Sequence, residues 1–447
     1  MKIPKGLSWH EFGEKIYVHS VENQHDYILD GTAADVLNYF RENPDGAVSE
    51  LVARIAARYE IANDSELQRD ISEFVESLLA EKILVDSEPA AEIWTDEIAN
   101  EVSKFFARER KLFSVAFELT YRCVERCIHC YIDDAPKFCA GDELTLAEYA
   151  EILKQVRALG CVKILLTGGE VLLRKDFCDI VERAVDLGLI VDVYTTGVGL
   201  TDEIFDRLCA AKVNSVSFSL YSGVASEHDV ITGLSGSFEK TLKAMLMFNS
   251  AGVQTFIKCV AMRQNFKSLA SVYELGRRLK IRVSISPQIA SGHAAKSASD
   301  FRLSEEQYEK FFRLESRYAT AVNPDAIPPT VSQILNGAPC SAGLNHLSID
   351  PFGGVHPCIS FTEPVGSLRT DSLKNLFEKI RGLKYFRDFK LRNLTPKCAA
   401  CDFVKSCHVC IGELFKEKSG APDDCGENLK AARIRAKFLK GGENYGD

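Results

Sequence analysis

Cys123, Cys127 and Cys130 stand within eight residues of "LTYRCVERCIHCYIDD" (119–134), in a Cys-x3-Cys-x2-Cys spacing. Three thiolates from one loop can hold three irons of a four-iron, four-sulfur cluster and leave the fourth iron open to another ligand. A structural zinc ion wants four ligands, so zinc at this loop would need His129 or a distant residue as its fourth. A second candidate is Thr167-Gly168-Gly169-Glu170. Its glycines allow a ligand close to the backbone, and its carboxylate can accept hydrogen bonds from an ammonium group. The third is a tail carrying Cys340, Cys358, Cys398, Cys401, Cys407, Cys410 and Cys425, in which Cys-x2-Cys-x5-Cys-x2-Cys, taken by itself, suits zinc. Cys139, Cys161, Cys178, Cys209 and Cys259 stand singly in helical or strand-like segments, as small buried hydrophobes do.

The stretch from Met1 to Trp9 lacks the apolar core of a signal peptide, and no apolar run approaches the roughly 20 residues of a spanning helix. A cytoplasmic protein with no membrane partner is expected. In reducing cytoplasm the 15 cysteines argue for metal or redox chemistry over disulfides. A net charge of −9 argues against a nucleic-acid partner.

The elements that must position these residues fall into four segments of the 447-residue chain. Residues 1–90 begin with three short alternating runs, "GLSWHEF", "KIYVHSV" and "DYILD", which predict a small antiparallel sheet. Three helices follow. Thr32 is placed as the cap of the first, "VSELVARIAARYE" forms the second, and Leu67, Ile71, Phe74 and Leu78 mark the buried stripe of the third. "ILVD" reads as a closing strand, and residues 91–112 as a linker helix. Residues 113–325 alternate six β-branched runs with helical patterns, which predicts parallel strands joined by right-handed crossovers. A Thr145/Glu148 capping box starts the first of these helices, and Gly160, Gly188 and Gly252 stop three of them. The cysteine loop follows the first strand and opens at the face where barrels place their chemistry. Residues 326–447 form the cysteine-rich tail.

The loop cysteines, Thr167 to Glu170 and the six-unit core together resemble the radical S-adenosylmethionine superfamily, with Val171 where proline is usual. The resemblance implies that S-adenosylmethionine chelates the open iron of a 4Fe-4S cluster held by Cys123, Cys127 and Cys130. Glu170, Gly168 and Gly169 would hold the methionine ammonium, with Thr167 beside them. Tyr131 would lie near the adenine, Thr195, Thr196 and Gly197 at the usual third-strand place, and Ser219 near the methionine end. The tail resembles the SPASM extension, with two rather than three residues between Cys407 and Cys410. By that resemblance Cys398, Cys401, Cys407 and Cys425 bind one auxiliary 4Fe-4S cluster and Cys340, Cys358 and Cys410 a second. His346 is a candidate fourth ligand of the second; an open iron able to take a substrate thiolate is the alternative. The N-terminal unit resembles the PqqD-like element that grips the leader of a ribosomally made precursor peptide, through a strand added to the exposed sheet edge.

The implied fold is α/β, a partial (β/α)6 barrel between a winged-helix-like PqqD-type domain and a SPASM domain. Residues 219–241, "SLYSGVASEHDVITGLSGSFEKT", are similar to thioether-forming maturases of the sactipeptide and ranthipeptide type. The implied reaction takes an electron from a flavodoxin- or ferredoxin-type donor, cleaves the cofactor to a 5′-deoxyadenosyl radical and joins cysteine sulfur to carbon in the precursor. Its alternatives are a carbon–carbon crosslink or other radical oxidation by the same machinery, and a non-catalytic zinc-binding peptide scaffold.

Overall fold

A computed structural model describes residues 7–12, 15–20, 25–43, 46–81, 83–84, 105–109, 111–132, 143–289, 300–318, 329–416 and 425–440. The three N-terminal runs form strands β1 (Leu7–Phe12), β2 (Lys15–Ser20) and β3 (His25–Asp30), antiparallel in that order. The helices Gly31–Glu42, Val48–Tyr59 and Ser65–Ala80 cover the sheet, burying Val36, Leu37, Phe40, Leu51, Ile55, Ile71, Val75 and Leu78. Two expectations are corrected. Strand β3 runs straight into the first helix, so Asp30 takes the cap position expected of Thr32. Ile83 and Leu84 make no strand, because both amides are drawn to the Leu78 carbonyl at the end of the third helix. The remainder of "ILVD" lies outside the described residues, as does most of the linker segment, of which 105–108 are helical.

The six predicted barrel strands are β4 (Ser114–Glu118), β5 (Lys163–Thr167), β6 (Ile190–Thr195), β7 (Ser215–Ser219), β8 (Gln254–Val260) and β9 (Arg282–Ser286), all parallel and in sequence order. Their intervening helices stop at Gly160, Gly188 and Gly252, each with φ between 75° and 79°, a conformation glycine adopts without a Cβ penalty. The Thr145/Glu148 capping box is present at the helix Leu146–Ala158.

The sheet does not end at six strands. β10 (His346–Ile349) pairs parallel with β4, and β11 (Gly354–His356) and β12 (Gly366–Ser367) follow antiparallel. The tail therefore covers the edge that β4 would otherwise leave unpaired, and buries Leu347 and Ile349 in doing so.

The N-terminal sheet docks on the opposite end of the barrel from the cysteine loop. Tyr17 of β2 packs with Phe106 and with Val162 and Ile190, which lie where β5 and β6 begin. A polar chain runs alongside. Buried His19 meets the Asn214 Oδ1 at 3.1 Å, Asn214 donates to Asp192 at 2.7 Å, and Asp192 pairs with Lys163 at 2.6 Å.

The cysteine loop has no helix or strand of its own, and its backbone is gripped from two sides. On one side the amides of Gly169 and Glu170 donate to the carbonyls of Thr120 (2.7 Å) and Arg122 (2.8 Å). The glycines here admit the protein's own chain: a Cβ at Gly168 would strike the Thr120 carbonyl oxygen, and one at Gly169 that of Arg122. On the other side Arg126 and Ile128 donate to the carbonyls of Thr232 (2.7 Å) and Ile231 (3.0 Å), the last turn of the helix Ala225–Thr232. Asp229 of that helix accepts from the amides of Gly236 and Phe238, fixing the start of the next helix, Ser237–Ser250. The stretch 219–241 thus braces the loop that carries the thiols, a role independent of the product formed.

The crowding at Gly169 makes a direct prediction. Gly169→Ala should destabilise the protein by roughly 1–3 kcal/mol through overpacking against backbone that cannot yield, read as a lowered urea midpoint. Gly382→Ala, at a position with no atom within 4 Å of the added methyl, should leave the midpoint nearly unchanged.

Candidate active site

Cys123, Cys127 and Cys130 are each half-buried. Burial pushes the Cys123 thiol up to about 12, and the nearby charges of Glu170, Glu125 and Cys130 add to it. Cys127 is raised further by burial, then by Glu125, Cys130 and Cys123, so the three sulfurs feel one another's charge. Cys127 Sγ donates to Glu125 at 3.3 Å, while the second oxygen of this buried carboxylate has no partner among the described residues. His129 stands edge-on to Tyr221 at 4.6 Å with its Nδ1 also orphaned, and burial lowers its pKa to about 4. A neutral histidine, an unsatisfied carboxylate and the thiols of Cys123 and Cys127, which burial keeps protonated, leave this loop short of positive charge. A cationic iron–sulfur core that displaces the thiol protons fits that donor set.

Glu170 is completely buried and its lone pairs are full. One oxygen accepts from Leu172 N (3.0 Å) and Thr195 Oγ1 (2.6 Å), the other from Thr196 N (2.7 Å) and the Thr196 hydroxyl. An ionised carboxylate has about four such positions. Burial raises its pKa against the pull of these hydrogen bonds. In this arrangement Glu170 ties the end of β5 to the end of β6. Thr195 and Thr196 each use the same hydroxyl again to cap the turn beyond, at Gly197 and Val198. Thr167 lies opposite Glu118 across β4 and β5, and Ser219 opposite Lys258 across β7 and β8, so both stand at the strand ends that face the cysteine loop.

Two groups escaped the sequence reading. Arg174, buried, donates to the carbonyls of Leu119 (2.9 Å) and Leu144 (2.7 Å) and forks onto Asp176, pinning the exit of β4. Glu118, the last residue of β4, is buried and receives the Tyr131 hydroxyl at 2.6 Å and the Tyr121 hydroxyl at 3.2 Å. Burial raises its pKa, opposed by those hydroxyls and by His356 across the seam with β11. His356 is held by Asp350 at 3.0 Å. The signal for Glu118 was in the alternation: Val115 and Phe117 are buried in the core, which turns Glu118 to the other face of the strand.

The tail thiols sort into two groups. Cys340, raised by burial to about 12, feels Cys358 and Cys410, and Cys358 in turn feels Cys410. Cys407, raised by burial to about 11, feels Cys425, Cys398 and Cys401. Those last four line one small apolar cavity with Leu391, Leu394, Val404, Val409 and Leu414. Among the described residues no three His, Cys, Asp or Glu converge as ligands of a single ion would. A cavity lined by four thiols has the donor set of a 4Fe-4S cluster. His346 sits on β10 with its Nδ1 engaged by Ser114 at 2.8 Å, and burial lowers its pKa to about 4.

Known proteins carry the same plan. The Radical SAM superfamily model matches residues 117–276, the coenzyme PQQ synthesis protein D (PqqD) model 18–84, and the SPASM iron-sulfur cluster-binding domain model 340–402. The AdoMet-dependent heme synthase of Methanosarcina barkeri is 26% identical over 325 residues, covering 67% of this chain and 91% of that protein. The subtilosin biosynthesis protein AlbA of Bacillus subtilis is 26% identical over 310 residues, 66% of each chain. Streptococcus suis SuiB bound to S-adenosylmethionine shares the fold at a TM-score of 0.62 and 16% identity, over 96% of this chain and 100% of that one. These domains imply 4Fe-4S clusters and S-adenosylmethionine as cofactors. The chain carries a radical SAM domain, with a PqqD domain before it and a SPASM domain after it.

Proposed function

We propose that this protein is a radical S-adenosylmethionine peptide maturase that installs a thioether crosslink, cysteine sulfur to carbon, in a ribosomally made precursor peptide. The observation that carries the peptide reading is the PqqD domain seated on the barrel, a unit with no evident use in handling a small substrate. The heme synthase relative favours a second reading, a non-peptide substrate, which that domain weighs against. The thioether rests on the unequal tail: four thiols around one cavity, but three in the group of Cys340, Cys358 and Cys410, which leaves a coordination place for a substrate thiolate.

When bound, the loop cluster and S-adenosylmethionine supply reductive cleavage and hydrogen-atom abstraction. The chain's own residues do the rest. Cys123, Cys127 and Cys130 hold the loop cluster, and Glu170, by locking Thr195 and Thr196, shapes the floor on which Thr167, Gly168, Gly169, Thr196 and Ser219 meet the cofactor. Tyr131, anchored by Glu118, would lie near its adenine. Cys398, Cys401, Cys407 and Cys425 would hold one auxiliary cluster in a small apolar cavity. The free edge of β3 receives the leader as an added strand, since Arg157 already takes the Trp9 carbonyl of β1 at 3.0 Å. A flavodoxin- or ferredoxin-type protein supplies electrons. The domain limits that accompany this reading are 1–90, 91–112, 113–325 and 326–447.

Replacing Cys123, Cys127 and Cys130 together by alanine should abolish 5′-deoxyadenosine formation, measured by chromatography. It should also lower bound iron by about four from an expected total of about 11 to 12 for three clusters; retained cleavage would refute the loop assignment. Colourless protein carrying zinc would instead establish the scaffold alternative. The product is tested separately. Precursor peptide with its cysteines alkylated beforehand should give no crosslinked product by mass spectrometry, whereas a carbon–carbon crosslink would still form.

A further inference from the structure

The segment leading into the four-thiol cavity is basic in a chain that is acidic as a whole, although Asp423 and Asp424 directly precede Cys425. From Lys374 to Lys405 there are nine Lys and Arg against three Asp and Glu, a local excess of six, although the net charge of the protein is −9. The excess is carried by the turns that wall the cavity. Arg392 lies in the turn Leu391–Asn393, Lys397 directly precedes the turn Cys398–Ala400, and Lys405 lies in the turn Val404–Ser406. All three are exposed, as are Lys384 and Arg387 on the preceding short helix, while Leu391 and Val404 of the same turns face the thiols. Among the described residues no carboxylate lies within ion-pair distance of Lys384, Arg392, Lys397 or Lys405. Lys390 and Arg381 nearby are matched by Asp388 and Glu378. Arg433, exposed on the helix Gly426–Lys440, reaches over Phe403 at 5.6 Å and extends the same surface. The four thiols beneath are each partly exposed, so a redox centre held there sits just under this face.

Unpaired like charges gathered on one face raise the local potential and speed encounter with a partner of opposite sign, more than they stabilise the fold. We propose that Lys384, Arg392, Lys397 and Lys405 form the docking face for a small acidic one-electron carrier protein of the flavodoxin or ferredoxin class. The carrier is oxidised by one electron and the enzyme takes that electron up at the four-thiol centre; no bond is made or broken. This rests on the reading that Cys398, Cys401, Cys407 and Cys425 hold an iron–sulfur cluster.

The test uses the iron-loaded full-length enzyme, an acidic flavodoxin as probe, and two variants that avoid the residue next to Cys398: K384E/R392E/K405E and its neutral counterpart K384Q/R392Q/K405Q. Flavodoxin should associate with the native enzyme in a salt-sensitive manner. Charge reversal should slow association about tenfold or more at low salt, and the neutral variant should fall between. Iron content and cofactor cleavage driven by dithionite should match the native enzyme in both variants, while cleavage driven by reduced flavodoxin should fall in the same order as binding. Unchanged flavodoxin binding by the reversed variant, or loss of binding to the precursor peptide in place of flavodoxin, would overturn the docking face. A native enzyme that fails to cleave S-adenosylmethionine even with dithionite would instead count against the proposed function, and the binding comparison would still decide the docking face.

Discussion

A loop without secondary structure has to hold three sulfurs in fixed relation, and it can do so only if other elements supply the partners its backbone lacks. Residues 119–132 meet that requirement with borrowed carbonyls and amides. The amides of Gly169 and Glu170 donate to Thr120 and Arg122, while the last turn of the helix Ala225–Thr232 accepts from Arg126 and Ile128. Buried backbone groups are costly to leave unpaired, so each of these contacts fixes the loop as well as satisfying it. The constraint propagates outward. Glu170 ties the turn to β6 through Thr195 and Thr196, Arg174 ties the exit of β4 to the start of the helix Leu146–Ala158, and Asp229 ties the bracing helix to its successor. Three consecutive strand ends therefore converge on the cysteine loop.

The tail meets a different constraint. Its four-thiol group is enclosed by leucine and valine side chains, and its three-thiol group is buried enough to push Cys340 to about 12. Cys340, Cys358 and Cys407, raised by burial, stay protonated while bare, and a metal must displace those protons to bind. Between the tail and the loop lies the buried carboxylate of Glu118. Two tyrosine hydroxyls and nearby His356, itself held by Asp350, make its burial tolerable. Tyr131 adjoins Cys130 and His356 stands two residues before Cys358, so this small polar cluster joins the two thiol regions across the seam of β4, β10 and β11.

What the sequence disclosed and what it hid divide along local and non-local physics. The strands, the Thr145 capping box and the stops at Gly160, Gly188 and Gly252 were legible because propensity and capping are properties of a few neighbouring residues. Thr32 was misplaced as a cap because nothing local tells that β3 enters the helix without a loop. The parallel pairing of β10 with β4 was invisible, since it joins residues more than two hundred positions apart. Gly168 and Gly169 were recognised as sites of close approach, but that the loop's own Thr120 and Arg122 carbonyls crowd them could not be read locally. Glu118 and Arg174 were missed because a charged residue's type gives no hint of which distant hydroxyls or carbonyls will meet it.

The docking of the N-terminal sheet imposes a geometry on any peptide this enzyme handles. β2 packs where β5 and β6 begin, through Tyr17, Val162 and Ile190, whereas the loop thiols lie beyond the end of β4. A leader added to β3 would thus bind at one end of the barrel while the chemistry occurs at the other. Five-residue strands such as β4 and β5 span roughly 17 Å at about 3.3 Å per residue. A straight path therefore takes at least about five extended residues, and a path around the helices takes more. The segment between leader and modified residues must then be an extended, weakly structured spacer. Its length, more than any contact it makes, would decide which residue reaches the mouth of the barrel.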